Sequence, residues 1–391
     1  MKTAYIVQSL RTPFGSFGGS LAEVDAARLG ATVMQALTQR ADLDPAAVDE
    51  VIVGEVLSGG AGQAPARQAM RHAGFPDSVH ALTINKMCGS GLKAVMLAAG
   101  SIALGESQVV VAGGMENMSR APYVLPRARS GYRMGHAELL DLMIYDGLQD
   151  AYSGKLMGEI ADARAEHHEL SRETQDDFAI RSYRLAQKAI QEGLLKDEIV
   201  PVRRDGKNGS EPFAEDEEPF KTDFEKLKRL RPVFKENGTI TAANASKISD
   251  GAALVLLADE AALKAHGLKP TARLVASATA SLSPDLFPDA PAEAIRAACA
   301  RAGLKPADID LFEINEAFAA VVLIAARELE LDLERVNVNG GAVAFGHPIG
   351  ASGGRLAATL VRELGRRKLR YGLAALCIGG GEAVAAIFEH V

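Results

Sequence analysis

Short apolar runs recur along the chain, among them Tyr5 to Val7, Glu50 to Val53 and Val109 to Ala112, and stretches with helical spacing separate them. This alternation predicts βαβ units built on a mostly parallel sheet with covering helices. Leu92, Val95, Met96, Ala99 and Ile102 follow a three-four spacing, which starts a helix near Gly89. A second long amphipathic stretch runs from Arg172 to Glu192.

The pattern repeats. LDPAAVDEVIVGEV from Leu43 lies without a gap over LKPADIDLFEINEA from Leu304, and Leu43, Pro45, Ala46, Asp49 and Glu55 meet identical residues. At almost the same offset CGSGLKAVML lies over GASGGRLAAT, and VVVAGGMEN and LCIGGGEAV are both apolar strands ending in glycines. Three matches in one order point to duplication. The expected organisation is two similar α/β halves, residues 1–117 and 271–391, with 249–270 returning to the first half. Residues 118–248, which hold Met134, Met143 and Met157 and the acidic run EPFAEDEEPF, form an inserted lobe.

Composition narrows the function classes. A chain of 391 residues with 48 % hydrophobic and 24 % charged residues, 38 glycines and no tryptophan suits a large α/β interior and lacks the bias of a disordered chain. A formal net charge of -7 argues against a nucleic-acid or anionic-membrane surface and favours small-molecule chemistry. No uninterrupted run of about eighteen apolar residues and no export or transit leader is visible, so the expectation is a cytoplasmic protein without membrane contact. Three cysteines without metal-ligand or CxxC spacing suit a reducing compartment, where cysteines pack or react.

In NKMCGSGLKA, Cys88 stands at the N-terminus of the predicted helix, where unpaired amides and the helix dipole favour a thiolate. A buried, inert cysteine is the ordinary alternative for a free thiol, and the flanking glycines weigh against it. His347, in VNGGAVAFGHPIGASG, sits in a glycine-rich turn just before the second copy of the helix start; if the halves pack about a pseudo-twofold, it approaches Cys88 as a base. That stretch lacks the G-x-G-x-x-G of a dinucleotide loop. Cys377 ends an apolar strand before three glycines, so two thiols and a histidine are available for nucleophile, base and acid roles. Asn315, in NEAF at the end of the duplicated strand, either polarises an oxygen or caps the next helix.

Taken together, CGSGLKA, GGMENMS, the stretch from YRMG to LMGE, NEAFAA, NVNGGAVAFGHPIGASG and CIGGG resemble the thiolase family in order and spacing, from SLRTPFGSFGGSL to the C-terminus. The resemblance implies a five-layered αβαβα fold of duplicated halves with an inserted loop domain. It also implies ping-pong acyl transfer between coenzyme A thioesters, with no permanently bound cofactor and no metal. By that resemblance Cys88 accepts the acyl group, His347 activates it, and Cys377 is the acid/base at the acetyl-CoA methyl. Asn315, through a water, and His347 form one oxyanion hole; the amides of Cys88 and Gly379 form the other. Ser246, Met157, Ala245 and Lys221 belong to the CoA site, and the assembly is a homotetramer, a dimer of dimers.

GLKA and the YRMG…DGLQDAYSG…MGE pattern resemble the subgroup that joins two acetyl-CoA molecules to acetoacetyl-CoA or cleaves the product. A degradative 3-ketoacyl-CoA thiolase of broader chain length in fatty-acid β-oxidation is the alternative, kept open by departures from the family pattern. Phe220 stands where the family commonly has arginine, with Lys221 as its substitute; Leu156 replaces a histidine; FPDAP (Phe287 to Pro291) replaces a glycine-rich stretch; and Ala383 follows Glu382 where a glycine is usual. Decarboxylating ketoacyl synthases, which use a second histidine in the place of Cys377, and an acyl-CoA-binding scaffold without chemistry are the more distant readings.

Overall fold

The computed structural model describes residues 1–206 and 209–391. Nine strands carry the core: β1 (Tyr5–Arg11), β2 (Glu50–Gly54), β3 (His80–Ile84), β4 (Val109–Asn117), β5 (Ser249–Ala258), β6 (Ala272–Ser281), β7 (Leu311–Ile314), β8 (Tyr371–Ile378) and β9 (Glu382–His390). Their order is β7-β8-β9-β6-β1-β5-β4-β2-β3. The two halves therefore share one hydrogen-bonded sheet, although β1 and β6 join through two residue pairs only, Tyr5 with Arg273 and Ile6 with Ala272.

The sheet is mixed rather than mostly parallel. Within this path only β2 with β3, β2 with β4, and β7 with β8 run parallel. A helix crossover connects each of those pairs, whereas β8 turns straight into β9 through Gly379–Gly381. Gly380 and Gly381 hold φ of 90° and 87°, a region that side chains with a Cβ avoid.

Alternation along the strands divides the interior into layers. Val51 and Val53 of β2 face α1 (Ala26–Ala41) and α2 (Pro65–His72), while Ile52 between them faces the opposite core. That central core holds α3 (Ser90–Leu104) and packs Leu92, Val95 and Ile102 against Leu356, Leu360 and Leu364. Strand residues of both halves, Val110 and Val255 from one and Leu376 and Phe388 from the other, close over them. Beyond the second half Ile295 and Val322 cover Phe312, Leu373 and Ile387. Helices thus alternate with strands in five layers. Each fully buried Leu, Ile or Val contributes roughly 1.5–3 kcal/mol, so the central layer anchors the fold.

Sandwiching explains the composition of that layer. Met87–Leu104 is apolar and long enough to pass as a membrane span, and half of it is buried inside the protein. A helix covered by strands of both halves has little use for a polar face.

The duplication is visible in the backbone. A 3-10 turn at Pro45–Ala47 leads into β2, and another at Pro306–Asp308 leads into β7. The counterpart of α3 is Ser352–Arg367, here α8; between them in the chain lie α4 (Met157–His167), α5 (Arg172–Gln191), α6 (Ala290–Ala302) and α7 (Ala319–Glu328). The starts of α3 and α8 touch through glycine: a Cβ on Gly91 would lie 2.8 Å from the Gly350 oxygen and 2.8 Å from the Gly354 nitrogen. The expected inserted segment 118–248 contributes α4 and α5 and two short ribbons, and β5 then enters the sheet between β1 and β4.

Candidate active site

The turn before α3 is built by its own polar atoms. Asn85 Oδ1 accepts from the Met87 amide at 2.9 Å, Ser90 Oγ accepts from the Lys86 amide at 2.8 Å, and Ser90 Oγ donates to the Met87 carbonyl at 2.6 Å. These bonds hold Met87 at φ 47°, a left-handed conformation uncommon for a residue with a Cβ. The next residue, Cys88, is half-buried at the mouth of the helix. Gly89 abuts the end of β8, where its missing Cβ leaves room for Ile378.

The expected low thiol pKa is not what the site produces. Burial pushes the thiol up to about 11 and outweighs the nearby amides of Gly379 and of Cys88 itself, which favour the thiolate. Glu116 adds to the rise. Cys88 thus rests protonated, and a base has to take its proton as the sulfur reacts.

His347 has the form of that base. Its backbone N–H donates a hydrogen bond to the Lys247 carbonyl at 2.9 Å, and its ring is buried. Ser352 Oγ, 2.5 Å from Nδ1, donates its own proton to the Pro348 carbonyl at 3.0 Å. The hydroxyl therefore accepts from Nδ1–H, which fixes the tautomer and leaves the lone pair on Nε2. Burial, with the Arg355 guanidinium as a second cause, depresses the imidazole to about 4, so it is neutral and ready to accept.

Asn315 ends β7 with its amide on the Ala375 carbonyl at 2.9 Å, and its Nδ2 faces His347 Nε2 at 3.3 Å. It is fully buried, its Oδ1 has no hydrogen-bond partner among the described residues, and its side chain is on the imidazole instead of a helix cap. Cys377 is buried in an apolar cluster with Met157, Phe287 and Phe318, and burial together with the neighbouring Cys88 holds its thiol well above the usual range. The third cysteine, Cys299, packs inside the outer core of the second half.

A cavity of about 600 Å³ leads to His347. Ser246, Met157, Ala245 and Lys221 all line it, as do Leu156, Phe234 and Ile349. Ile349 also belongs to the cluster against which Cys88 packs, so the thiol lies next to this part of the wall. Cys88, Gly379 and Cys377 thus form one group, and Asn315, His347 and Ser352 a second. Among the described residues no hydrogen bond links Cys88 to His347. Lys221 does not present a free charge: its Nζ lies 2.5 Å from Ser16 Oγ and 3.4 Å from carboxylate oxygens of both Glu217 and Glu218. Phe220 points outward and is half exposed.

Two thiols, an imidazole and paired backbone amides at the end of a largely apolar cavity can accept and pass on an acyl group. Models of the thiolase N-terminal and C-terminal domains match residues 4–261 and 268–390 of this chain. The chain belongs to the thiolase family. This thiolase is 51 % identical to an acetyl-CoA acetyltransferase of Pseudomonas aeruginosa over 388 residues, 98 % of each chain. It is 48 % identical to acetyl-CoA acetyltransferases of Cupriavidus necator and Escherichia coli, with each comparison covering 100 % of both chains. A crystal structure of the Bacillus anthracis acetyl-CoA acetyltransferase superposes with a TM-score of 0.98 at 43 % identity, covering 100 % of this chain and 99 % of that one.

Several residues of the thiolase site escaped the sequence reading. Ser352 was visible only as the serine of GASG, five positions beyond the histidine. Glu116, inside GGMENMS, accepts from the amides of Val56, Leu57 and Gly350 at 3.0, 3.1 and 2.9 Å and so pins the His347 loop to the first half. Arg355 forms a buried pair with Glu313 at 2.7 Å. It lies three residues after Ser352 on α8, and Glu313 two before Asn315 on β7, so the pair backs the Asn315–His347 contact. Elsewhere His168, Asp289 and Glu328 converge within 4.8 Å, but Arg164 occupies both oxygens of Asp289.

Proposed function

We propose that this thiolase is an acetyl-CoA C-acetyltransferase that works through a thioester on Cys88. The single observation that carries the reading is the placement of the Cys88 and Gly379 amides beside the Cys88 sulfur, where both favour negative charge. An acyl carbonyl bound to that sulfur brings its oxygen to the same two donors. Losing one donor of such a pair typically costs on the order of 10²–10³ in rate.

In the first half-reaction the Cys88 proton passes to His347 Nε2 as sulfur adds to the acetyl-CoA carbonyl. The tetrahedral oxyanion rests on the amides of Cys88 and Gly379, and its collapse expels CoA, whose thiolate takes the Cys377 proton, and leaves acetyl-Cys88. In the second, the Cys377 thiolate takes a proton from the methyl of the incoming acetyl-CoA, while Asn315 and protonated His347 hold the enolate oxygen. The enolate carbon attacks the Cys88 thioester to give acetoacetyl-CoA, and the Cys88 thiolate recovers its proton from His347. Because Cys377 rests as a thiol, it is already in the protonation state that thiolysis needs from its acid.

Phe287 favours the short-chain reading over the degradative alternative. It is buried beside Cys377, its ring centroid 6.5 Å from that of Phe318, and fills space that a long acyl chain would need. The substrate is CoA-bound and no resident cofactor or metal takes part, which suits a cytoplasmic place in fatty-acid metabolism. The homotetramer reading is supported by β3, whose outer edge has no partner strand within the described chain and carries a half-exposed Leu82.

The deciding experiment is CoA-dependent thiolysis of 3-ketoacyl-CoA substrates from about four to sixteen carbons. A sharp preference for acetoacetyl-CoA is expected; comparable rates on long chains would transfer the enzyme to the degradative class.

A further inference from the structure

Lys247 is a second lysine in the wall of the substrate cavity, next in sequence to Ser246. Its Nζ donates to the Ala242 carbonyl at 2.5 Å and to the Ala245 carbonyl at 3.0 Å, and it lies 5.6 Å from the centre of the Tyr183 ring. An ammonium has three donors, so one remains for something else. Among the described residues no carboxylate oxygen pairs with it. Glu218 acts on it only at longer range, being itself taken by Ser16 and Lys221. The amine is half-buried, and removal from water lowers it to about 8, still largely charged at neutral pH.

A cation placed beside an apolar cavity without a counter-ion is costly unless a ligand brings one. Lys221, the cation expected from sequence, is the poorer receptor because it is already held by two glutamates and a serine. We propose that the Lys247 ammonium receives a phosphate group of the CoA moiety, and that Lys221 serves to hold the Ser16–Glu218 corner instead. The proposal rests on the acyl-CoA reading above. It makes the charge at position 247 a determinant of nucleotide-bearing over truncated substrates.

The test compares two substrate pairs on the whole enzyme: acetoacetyl-CoA with CoA, and acetoacetyl-N-acetylcysteamine with N-acetylcysteamine, which carry no phosphate. Lys247→Met keeps the aliphatic stem and removes the charge, and it should raise KM about tenfold for the CoA pair. The truncated pair should change less than about twofold, Lys247→Arg should restore most of the CoA affinity, and Lys221→Met should not reproduce the selective loss. An equal rise for both pairs would assign Lys247 to loop tethering alone, and no rise for either would remove it from binding; both outcomes overturn the proposal. If the wild type turns over neither pair, the acetyltransferase reading fails. Calorimetric titration with adenosine 3′,5′-bisphosphate then still decides position 247, since the proposal requires the wild type to bind it and Lys247→Met to lose that binding.

Discussion

His347 Nδ1 lies 2.5 Å from the Oγ of Ser352, five residues further along the chain and one helix start away. Because the hydroxyl proton is committed to the Pro348 carbonyl, this contact fixes which imidazole nitrogen carries hydrogen. It leaves the lone pair of a buried imidazole on Nε2, facing Asn315 at the wall of the cavity.

Ser352→Ala should therefore release the tautomer without unfolding the site. The expected result is a kcat lower by about 10- to 100-fold with little change in KM, since general-base catalysis contributes about 10²–10⁴ in total. Steady-state kinetics beside an unchanged thermal midpoint checks it.

Cys88→Ser should abolish the acetyl-enzyme seen by intact mass after mixing with acetyl-CoA, whereas Cys377→Ala should still form it while condensation slows strongly. A nucleophile and an acid/base acting on another carbon separate in this way. Equal acylation of wild type and Cys88→Ser would end the nucleophile assignment.

The pH profile follows from two opposed shifts. His347 is held down to about 4 and Cys88 up to about 11, so base and thiol are both in their working states across the range between. The kcat/KM of acetoacetyl-CoA thiolysis should fall on the acid side only as pH approaches about 4, and an acid limb set by His347 near its ordinary value would contradict the buried imidazole.

Glu55 offers a stability test apart from catalysis. It is buried, one carboxylate oxygen has no hydrogen-bond partner among the described residues, and burial with Glu116 nearby pushes it up to about 8. The folded state thus keeps a proton that the unfolded chain releases near its ordinary value of 4.5, so this contribution is full below that value and is lost as pH rises through about 8. Glu55→Gln removes the dependence and should be more stable than wild type at pH ~9 by about 1–3 kcal/mol in urea unfolding. Equal pH slopes for the two proteins would refute it.

Gly91→Ala should collapse the contact between the two helix starts, because the new Cβ meets the Gly350 oxygen and Gly354 nitrogen at 2.8 Å. Neither is a side chain that can swing away. A loss of about 1–3 kcal/mol, with reduced activity as the His347 loop shifts, is the expected outcome of calorimetry and kinetics.

The primary sequence sufficed for the family and for much of the organisation, because six motifs in register and a repeated helix-to-strand unit are local patterns. Helix α3 begins within a residue of the point that Leu92, Val95 and Ile102 require. Strand direction was not legible in the same way: apolar runs look alike whether a strand pairs parallel or antiparallel, and β5, β6 and β9 made the sheet mixed. Ser352, Glu116 and Lys247 escaped notice because a serine, a glutamate or a lysine acquires meaning only from the atom it faces.

What the sequence determined by itself is the place of Cys88, Asn315 and Cys377 at element ends, since glycine, apolar spacing and duplication act over a few residues. Only the tertiary structure decided their protonation. The helix start at Cys88 favours a thiolate, yet packing against Val56, Leu57, Met118 and Ile349 removes the water that would stabilise the charge. The same burial keeps His347 neutral and lowers Lys247, because desolvation depends on every element that closes over a group.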